Sequence, residues 1–580
     1  MQSNQEVIQT LFGNMKILGI HDGHNSGATL LENGKIIASV CEERLSRMKN
    51  DVGYPRKAVE DVLKIGNCNS SDIDFVALAT KHLHGRDFYL GWEWYRKGEK
   101  EQVKDKKNEN ERGRYLLEER LNERKNEIAT HLGILSDKIS VVEHHFCHAA
   151  AAYFGSPWST NKEKVLVLTS DGSGDGICAT VNIGEGGKIK RIADTKSSAS
   201  LGKIYSRITY LLGMKPWEHE YKVMGLAPYA DEKGVEKSFK VLNELIEIDD
   251  GSLVFKTKKS FGMNYCYPYL KEKLENHRFD WIAGGIQKLN EEIMLKWVKN
   301  ILKETGLRKI AAGGGSFMNV KSNMRIAELD GVDDIFVFPS CGDESVSIGA
   351  AYFVYAEQVK NKASTALKNN YFGARFEDSD IALAIEKTNA RGKYNVVRED
   401  FINKKVAHLL SSGEIVARFS GRMEWGARAL GNRSILMDPR NKDGVRILNM
   451  AIKQRDFWMP FAPTVLSERQ HDYLVNKKGL KSPYMAMAFE TTEKGRSYLG
   501  AAIHPYDFTA RPQILESDFN PGYYDLLKEF EKLTGIGAVL NTSFNLHGEP
   551  VVYSPEDAIS VFERSGLKHL SLGNYHISKK

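Results

Sequence analysis

Residues 16–31 read KILGIHDGHNSGATLL, and residues 164–181 repeat the same layout as KVLVLTSDGSGDGICATV. Each stretch is an apolar run, an Asp-Gly turn rich in small residues and a second apolar run, which is the pattern of a buried strand hairpinned to the next one. Glycines at such a turn let the backbone approach a ligand closely, and the aspartate can hold a metal or a water there. The repeat therefore indicates a duplicated α/β domain.

Two further glycine-rich turns extend this pattern. Residues 313–316 read GGGS after a strand-like run, and residues 341–343 read CGD before an alanine-rich helix. Together with the two hairpin loops they predict a nucleotide in the cleft of the duplicated domain. The pattern resembles the actin/sugar-kinase ATPase (ASKHA) fold.

Length and composition set the limits for the remaining predictions. The chain has 580 residues, of which 42% are hydrophobic and 27% charged, so it is an ordinary globular protein of about three structural units. A net charge of +6 is small for this length and does not argue for a nucleic-acid or membrane partner. We find neither a spanning apolar stretch nor a secretory signal and expect a cytoplasmic protein with reduced thiols.

Domain organisation follows from the same scan. We expect an N-terminal extension over 1–14, a first α/β domain over 15–358, a linker over 359–394 and a second α/β domain over 395–580, with strands at 415–419 and 538–540. The most charged region, 96–125, mixes both signs at helical spacing, which favours a solvated helix over a binding arm.

A histidine pair suggests a metal site. Residues 143–152 read EHHFCHAAAA, and the spacing of four places His144 and His148 on one face of a helix, as one metal ion requires. The alternative is a helix with two histidines that are satisfied by hydrogen bonds. Asp171 and Asp343, both in glycine-bordered turns, could complete a shell of two nitrogens and two oxygens and favour the metal.

The first hairpin loop also carries a candidate base. A histidine at the lip of a nucleotide or metal cleft can take a proton from an alcohol, and His24 is the candidate for that role. His21 and Asp22 are nearby competitors.

The second domain is rich in anion-binding residue types. Residues 421–434 read GRMEWGARALGNRS, which places three arginines among small residues and suits bidentate anion binding. Lys453 and Arg455 alternate in strand fashion, as do Asn541, Ser543 and Asn545, and residues 504–513 add Arg511. These groups favour a phosphate site over a surface ion-pair network.

Several of these residues and segments resemble the motifs of a known family. Lys-x-Arg followed by Ser-x-Asn resembles YrdC-type domains, which make carbamoyl- or threonylcarbamoyl-adenylates from ATP. The H-x-x-x-H, GGGSFMN and GDESVSIGAA segments resemble the actin-like domain that uses such adenylates. Their order is similar to that of the NodU/CmcH family of O-carbamoyltransferases, which modify nodulation factors, antibiotics and saxitoxin-type toxins. The fold class implied is a duplicated actin-like N-terminal domain plus a C-terminal YrdC-like α/β domain.

The resemblance also implies roles for individual residues. It makes His24 the base for the acceptor hydroxyl and implies an iron-like metal, Fe²⁺, in the N-terminal domain. The metal ligands would be His144, His148, Asp171 and Asp343, and the adenylate would contact Gly313, Gly314, Gly315 and Asn319. Carbamoyl phosphate and ATP with Mg²⁺ would bind Arg428, Lys453, Arg455, Arg511, Asn541, Ser543 and Asn545.

The implied reaction is ATP-dependent transfer of a carbamoyl group to a hydroxyl of a small natural product. Rival functions are a tRNA threonylcarbamoyl-adenosine enzyme and a non-catalytic actin-like nucleotide-binding protein. Residues 91–95, 96–125 and 217–220 could line an acceptor site or simply pack, and Glu218 and Glu220 suggest a cationic acceptor such as an aminoglycoside or a guanidinium toxin. The expected partner is this small molecule, with no nucleic acid and no membrane; a homodimer is left open.

Overall fold

The computed structural model describes residues 14–83, 96, 109–160, 163–359, 365–453 and 455–579, with the backbone alone for 109–116 and 451. The chain forms two compact units, which are Met1–Glu42 with Asn50–Leu367, and Glu43–Lys49 with Lys368–Lys580. Apart from Asn14, the expected N-terminal extension lies outside the described residues, as do 91–95.

Ten described strands of the first unit form two five-stranded sheets with the same order, and β9 and β10 pair separately. The first sheet runs β3-β2-β1-β4-β5 and the second β8-β7-β6-β11-β12. In each, the first three strands in sequence pair antiparallel and the last two pair parallel. The strands are β1 (Lys16–His21), β2 (Gly27–Glu32), β3 (Lys35–Cys41), β4 (Phe75–Ala79), β5 (Ile139–Val142), β6 (Val165–Gly174), β7 (Ile177–Glu185), β8 (Lys188–Lys196), β9 (Ile246–Glu247), β10 (Lys256–Thr257), β11 (Lys309–Gly313) and β12 (Asp334–Val337).

This repeated topology confirms the duplicated actin-like domain that the two similar sequence segments predict. The segments form equivalent hairpins, β1–β2 and β6–β7. Both begin with a continuous apolar run because β1 and β6, each paired with a parallel strand, are buried on both faces.

Helices follow the strands throughout the chain. They are α1 (Glu43–Ser46), α2 (Arg56–Ile65), α3 (Glu109–Leu132), α4 (His144–Gly155), α5 (Leu201–Leu211), α6 (Glu220–Leu226), α7 (Glu232–Leu242), α8 (Tyr267–Leu274), α9 (Phe279–Thr305), α10 (Val320–Ala327), α11 (Val346–Gln358), α12 (Asp378–Lys387), α13 (Ala390–Lys393), α14 (Ile402–Ser411), α15 (Lys442–Ile447), α16 (Gln470–Tyr473), α17 (Glu493–Tyr498), α18 (Pro521–Thr534) and α19 (Pro555–Arg564). None of the helices in the described parts of the chain is long and apolar enough to cross a membrane.

Helices α4 and α11 pack against each other in the first unit. The glycine at position 349 of α11 lets the two backbones approach closely, since a Cβ added there would lie 1.8 Å from the carbonyl oxygen of Cys147. Gly19 of β1 meets α11 in the same way, with its added Cβ 2.0 Å from the carbonyl oxygen of Ser347. The small residues therefore fix the position of α4, which carries His144 and His148, against α11.

The second unit is a mixed α/β domain. Its sheet runs β13-β20-β19-β14-β15-β18-β16-β17, and helices α12 and α19 contribute to the core cluster that also contains Phe419, Ile435 and Leu540. The strands are β13 (Asn395–Arg398), β14 (Val416–Phe419), β15 (Arg433–Met437), β16 (Ala462–Leu466), β17 (Gln513–Leu515), β18 (Ala538–Ser543), β19 (His569–Leu572) and β20 (Tyr575–Ser578). The strands predicted at 415–419 and 538–540 are confirmed by β14 and β18.

Three local expectations differ from the structure. The boundary between the units lies at Leu367–Lys368, and the end of the expected linker folds into α12 and α13 of the second unit. Leu448–Lys453 is a π-helical turn, so the strand predicted through Lys453 is wrong. The solvated helix predicted within 96–125 is present as α3, but Arg124 on it is buried.

We predict that Gly349→Ala destabilises the first unit. Because the new methyl group would overlap the Cys147 carbonyl, α4 and α11 must move apart, and overpacking of this kind lowers the free energy of unfolding by about 1–3 kcal/mol. Chemical unfolding measures the change. Glu357→Ala, an exposed position on the same helix, is the matched control and should stay within about 0.5 kcal/mol of the wild type. Equal free energies of unfolding for the two variants would contradict the close approach of α4 and α11.

Candidate functional site

Two histidines and two aspartates converge at one point in the first unit. The Nε2 atoms of His144 and His148 are 3.0 Å apart. Asp171 Oδ2 lies 3.5 Å from His144 Nε2, and Asp343 Oδ1 lies 3.5 Å from His144 Nε2 and 3.6 Å from His148 Nε2. One ligand atom from each of the four residues falls within 4.8 Å of every other, which is the geometry of a mononuclear metal site.

Local structure explains how these side chains meet. Helix α4 begins immediately before the pair, with Glu143 as its N-cap accepting from the Phe146 N–H, so His144 and His148 lie one turn apart on one face. Asp171 follows the buried run of β6, and Asp343 begins the short 3₁₀ turn that leads into α11.

Hydrogen bonds behind the cluster orient its ligands. Thr80 Oγ1 lies 3.0 Å from His144 Nδ1, and the Gly315 N–H donates to Asp171 Oδ1 at 2.8 Å. Ser345 Oγ lies 3.3 Å from His148 Nδ1 and donates its hydrogen to the Gly342 carbonyl at 2.7 Å. The His148 Nδ1 must therefore carry the proton, which leaves the lone pair of Nε2 directed into the cluster.

The electrostatics of the cluster favour a cation. Burial alone would lower the pKa of His144, but Asp343 and Asp171 outweigh it and raise that pKa to about 9. Burial alone would raise the pKa of Asp343, but His24 and His144 hold it well below its usual value. Two imidazoles with two ionised carboxylates are a donor set for a divalent transition metal, so the residues fit the metal that the sequence predicts.

His24 lies beside this cluster. Its Nδ1 is 3.3 Å from Asp343 Oδ2, and its ring stacks on Trp217 with centroids 5.2 Å apart. Trp217 has a left-handed backbone, φ 63°, and its N–H donates to Glu220 Oε1 at 2.8 Å. The indole thus forms one wall next to the candidate base.

The two competitors for the role of base are engaged elsewhere. His21 is fully buried, donates from Nε2 to the His24 carbonyl at 3.1 Å, and has its pKa lowered to about 4 by burial, which the charges of Asp343 and Asp22 only partly offset. Both carboxylate oxygens of Asp22 accept from Arg124 at 2.7 Å. Of the three, His24 is the residue placed to act on a molecule at the cluster.

The glycine loop reaches the same cluster. Gly314 has φ 94°, and a Cβ there would lie 2.3 Å from the Ser170 carbonyl oxygen, so only glycine fits between β6 and β11. Gly315 binds Asp171 through its N–H. Asn319 caps α10 by accepting from the Ser322 N–H, and its amide pairs with that of Gln287 at 2.8 and 3.1 Å.

A second candidate site lies in the second unit around Lys453. This lysine is only 4% exposed, and its Nζ donates to the Ser543 carbonyl, to Ser543 Oγ at 3.1 Å, to the Asn545 carbonyl at 3.2 Å and to Asn545 Oδ1 at 2.7 Å. These partners are neutral oxygens, so Lys453 is not part of a surface ion-pair network. The structure thus brings together Lys453, Ser543 and Asn545, as predicted.

The other predicted anion ligands are less closely grouped. Arg455 donates to Asn449 Oδ1 at 2.9 Å and stacks on Phe461 at 3.8 Å. Asn541 donates to the Ala429 carbonyl, next to Arg428, and to Thr464 Oγ1, both at 3.1 Å. Thr464 in turn donates to Gln513, two residues after Arg511. Arg428 and Arg511 are half-buried.

Sequence reasoning missed the residues that support the first site. Arg124 binds Asp22 and also donates to the carbonyls of Ala79, Thr80 and Lys81. Asp175 accepts from the backbone N–H groups of His144, Lys81 and His82. The second aspartate of SDGSGDG was a signal for Asp175, whereas nothing in the charged helix α3 distinguished Arg124.

The acidic residues expected to attract a cationic acceptor have internal partners. Glu218 pairs with Lys215 at 2.6 Å, and Glu220 holds the Trp217 N–H. Burial raises the pKa of Glu220 to about 7, so its negative charge is weakened near neutral pH.

The chain matches two family models. "Carbamoyltransferase N-terminus" covers residues 16–352 and "Carbamoyltransferase C-terminus" covers 407–579. This chain therefore belongs to the carbamoyltransferase family, within which its relatives include nodulation proteins of the NodU type.

Individual relatives extend over almost the whole chain. An uncharacterized protein of Synechocystis sp. is 31% identical, and the match covers 96% of this chain and 95% of that protein. Nodulation protein NolNO of Sinorhizobium fredii is 30% identical and covers 96% of this chain and 79% of that protein. Among solved structures, T. kodakarensis HypF aligns with a TM-score of 0.32 at 14% identity, over 61% of this chain and 49% of HypF.

We predict that the cluster binds one divalent transition metal per chain. His148→Ala removes one ligand and should abolish stoichiometric metal binding. Ser345→Ala removes only the hydroxyl that orients the His148 ring and should lower the metal affinity about 10- to 100-fold. Cobalt titration followed spectroscopically, with metal content measured by mass spectrometry, gives both results. His408→Ala, at an exposed position on α14, should bind metal like the wild type. If His148→Ala binds the metal as tightly as the wild type, His148 is not a ligand.

Proposed function

We propose that this carbamoyltransferase uses ATP and carbamoyl phosphate to carbamoylate a hydroxyl group of a small molecule, in two steps. The observation that carries the proposal is the position of His24, 3.3 Å from Asp343 of the histidine–aspartate cluster, with 22% of its side chain exposed. A base beside a cationic centre is the arrangement that activates an alcohol for acyl transfer. The buried Lys453 supports a separate activation step in the second unit.

Activation takes place around Lys453. Water hydrolyses carbamoyl phosphate to carbamate and inorganic phosphate, and a carbamate oxygen attacks the α-phosphorus of ATP held with Mg²⁺. The products are carbamoyl-adenylate and pyrophosphate. Lys453 and Arg455 stabilise the charge that develops on the phosphate oxygens, with Ser543 and Asn545 fixing the position of the Lys453 ammonium.

Transfer takes place in the first unit. His24 accepts the proton of the acceptor hydroxyl, and the freed oxygen attacks the carbamoyl carbon. The bond between this carbon and the phosphate oxygen of AMP breaks, and AMP leaves. Asp343 stabilises the imidazolium that forms on His24. The glycine loop of 313–315 and Asn319 hold the nucleotide in this step.

The metal belongs to the same step. His144, His148, Asp171 and Asp343 would hold a divalent ion, for which we propose iron, and the ion when bound supplies Lewis-acid polarisation of the carbamoyl carbonyl.

The proposal for the acceptor follows from the chemistry around His24. His24 can deprotonate any hydroxyl that reaches it, and the half-buried Trp217 beside it is an aromatic residue of the kind that packs against sugars and rings. Because Glu218 and Glu220 have internal partners, the structure gives no reason to require a positively charged acceptor. We therefore propose a ring-bearing natural product with a free hydroxyl.

We predict that His24→Asn separates the two steps. Transfer to the acceptor should fall about 10²- to 10⁴-fold because the general base is lost, while pyrophosphate release from ATP and carbamoyl phosphate continues. Mass gain of the acceptor and a pyrophosphate assay on the same samples measure the two steps. His471→Asn, an exposed histidine in the second unit, should leave both unchanged. Full transfer by His24→Asn would show that another group is the base.

We predict that Lys453→Gln impairs the activation step. Pyrophosphate release should fall about 10²- to 10³-fold because a positioned cation for the phosphates is lost. Lys387→Gln, exposed on α12, is the control for removal of a lysine charge. If the Lys453 variant releases pyrophosphate at the wild-type rate, activation does not occur at this site.

The whole proposal is tested by screening acceptors for a gain of one carbamoyl group. Aminoglycosides, neutral polyketides, lipo-oligosaccharides and tRNA should be compared, each with ATP and carbamoyl phosphate. Modification of a small hydroxyl compound supports the proposal. Modification of tRNA alone would overturn it.

A further inference from the structure

Arg124 is a buried cation that the functions proposed above do not use. It lies on helix α3, and only 1% of its side chain is exposed, against 40% for Arg120 one turn earlier on the same helix. Burying an arginine is unfavourable unless its charge is paired and its N–H groups are hydrogen-bonded. The partners of Arg124 therefore indicate why the fold buries it.

All five N–H donors of the Arg124 guanidinium have a partner. Nε and Nη2 donate to the two carboxylate oxygens of Asp22, both at 2.7 Å. The other three hydrogens go to successive carbonyls at the end of β4, which are those of Ala79 at 3.0 Å, Thr80 at 3.0 Å and Lys81 at 3.1 Å. This planar fork fixes two parts of the chain at once, which the single nitrogen of a lysine cannot do.

The contact with Asp22 holds the loop that carries the proposed base. Strand β1 ends at His21 and β2 begins at Gly27, so Asp22 is the first residue of the connecting loop and His24 the third. Within the loop, the fully buried ring of His21 hydrogen-bonds the His24 carbonyl at 3.1 Å. Arg124 therefore fixes the start of the short loop in which His24 lies.

The contacts with the carbonyls hold a residue that lies behind a metal ligand. Thr80 has a left-handed backbone, φ 68°, which is an unusual conformation for a β-branched residue and persists only where the surroundings stabilise it. Here the Thr80 carbonyl and both neighbouring carbonyls accept from Arg124. Thr80 Oγ1 lies 3.0 Å from His144 Nδ1, so the conformation that Arg124 stabilises is the one that orients the His144 ring.

Asp175 holds the same segment through its N–H groups. Its carboxylate, which is 3% exposed, accepts from the N–H groups of Lys81 at 3.1 Å and His82 at 2.8 Å. It also accepts from the His144 N–H at 2.8 Å. The segment whose carbonyls bind Arg124 is thus connected to His144 twice, by a side chain and by the backbone.

We propose that Arg124 is a positioning residue for the transfer step, which holds the base loop and the metal cluster in one fixed arrangement. It acts on His24 through Asp22 and on His144 through Thr80. The proposal rests on the function proposed above, which assigns the base and the cluster to one reaction. Because the two branches run through different residues, they are tested separately.

The metal branch is tested by cobalt titration of the full-length protein. Arg124→Lys keeps a positive charge beside Asp22 but cannot reach three carbonyls, so the cobalt affinity should fall about 10-fold. Thr80→Val keeps the shape and removes the hydroxyl, and should lower the affinity about 10- to 100-fold. Thr80→Ser keeps the hydroxyl and should restore most of it. The double variant of Arg124→Lys and Thr80→Val should be little worse than Thr80→Val, because Arg124 acts through Thr80.

Arg120→Lys is the matched control, since it makes the same substitution in an exposed ion pair with Glu123. It should bind cobalt like the wild type. If Arg124→Lys has the same cobalt affinity as this control, or if its effect multiplies in full with that of Thr80→Val, Arg124 does not act on the cluster through Thr80.

The base branch is tested by the rate of acceptor carbamoylation. Asp22→Asn removes the charge and one of the two acceptor oxygens, so the kcat for transfer should fall about 10-fold or more with little change in the acceptor KM. Cobalt affinity and pyrophosphate release should stay close to the wild-type values, because Thr80 and the second unit are unchanged. A uniform fall in all three, with a lower unfolding temperature, would show a structural role only. A transfer rate equal to that of Arg120→Lys would overturn this branch.

The cobalt measurements separate this proposal from the function on which it rests. If the wild type carbamoylates no acceptor, the proposed function is wrong. The cobalt affinities of Arg124→Lys and Arg120→Lys need no turnover and still decide whether Arg124 positions His144. A weaker affinity for Arg124→Lys alone supports the proposal, and equal affinities overturn it.

Discussion

Four side chains that are each unfavourable to bury alone are buried together in the first unit, and its architecture depends on that compensation. His144 and His148 are fully buried, and Asp171 and Asp343 are held ionised by imidazoles at 3.5–3.6 Å. The ligands come from three kinds of element: the two histidines from one helix, Asp171 from a strand and Asp343 from a turn. The close approach of α4 and α11 brings these elements within reach of one another.

The duplication brings polar residues from two equivalent loops to one cluster. Hairpins β1–β2 and β6–β7 are the same element in two copies, and each carries polar residues where its first strand ends. In the first copy that region contributes His24, and in the second it contributes Asp171. The same topology thus provides two different chemical groups to one cluster, because the sequences of the turns have diverged while the strands have kept their apolar runs.

The sequence predicted best what depends on local periodicity. The hairpins and the one-turn separation of His144 and His148 follow from the spacing of residues and are present. The strand predicted through Lys453 failed because the side chain reaches its oxygen partners from a π-helical turn, which alternation of residue types does not reveal. Arg124 looked like one more charge on a solvated helix because its partner, Asp22, lies far away in the sequence. Contacts of that kind are set by the tertiary fold alone.

The discontinuous composition of the second unit limits how this protein can be divided. Its sheet and all of its described helices except α1 lie after Lys368, so a fragment beginning there would contain every described strand of the unit. Such a fragment would still lack Arg44 and Arg47, and the carbonyls of Gly426, Pro550 and Val551 would lose their donors. Exchange of the second unit between related chains, in the laboratory or in evolution, must therefore carry along seven residues from near the N-terminus or replace them with compatible ones.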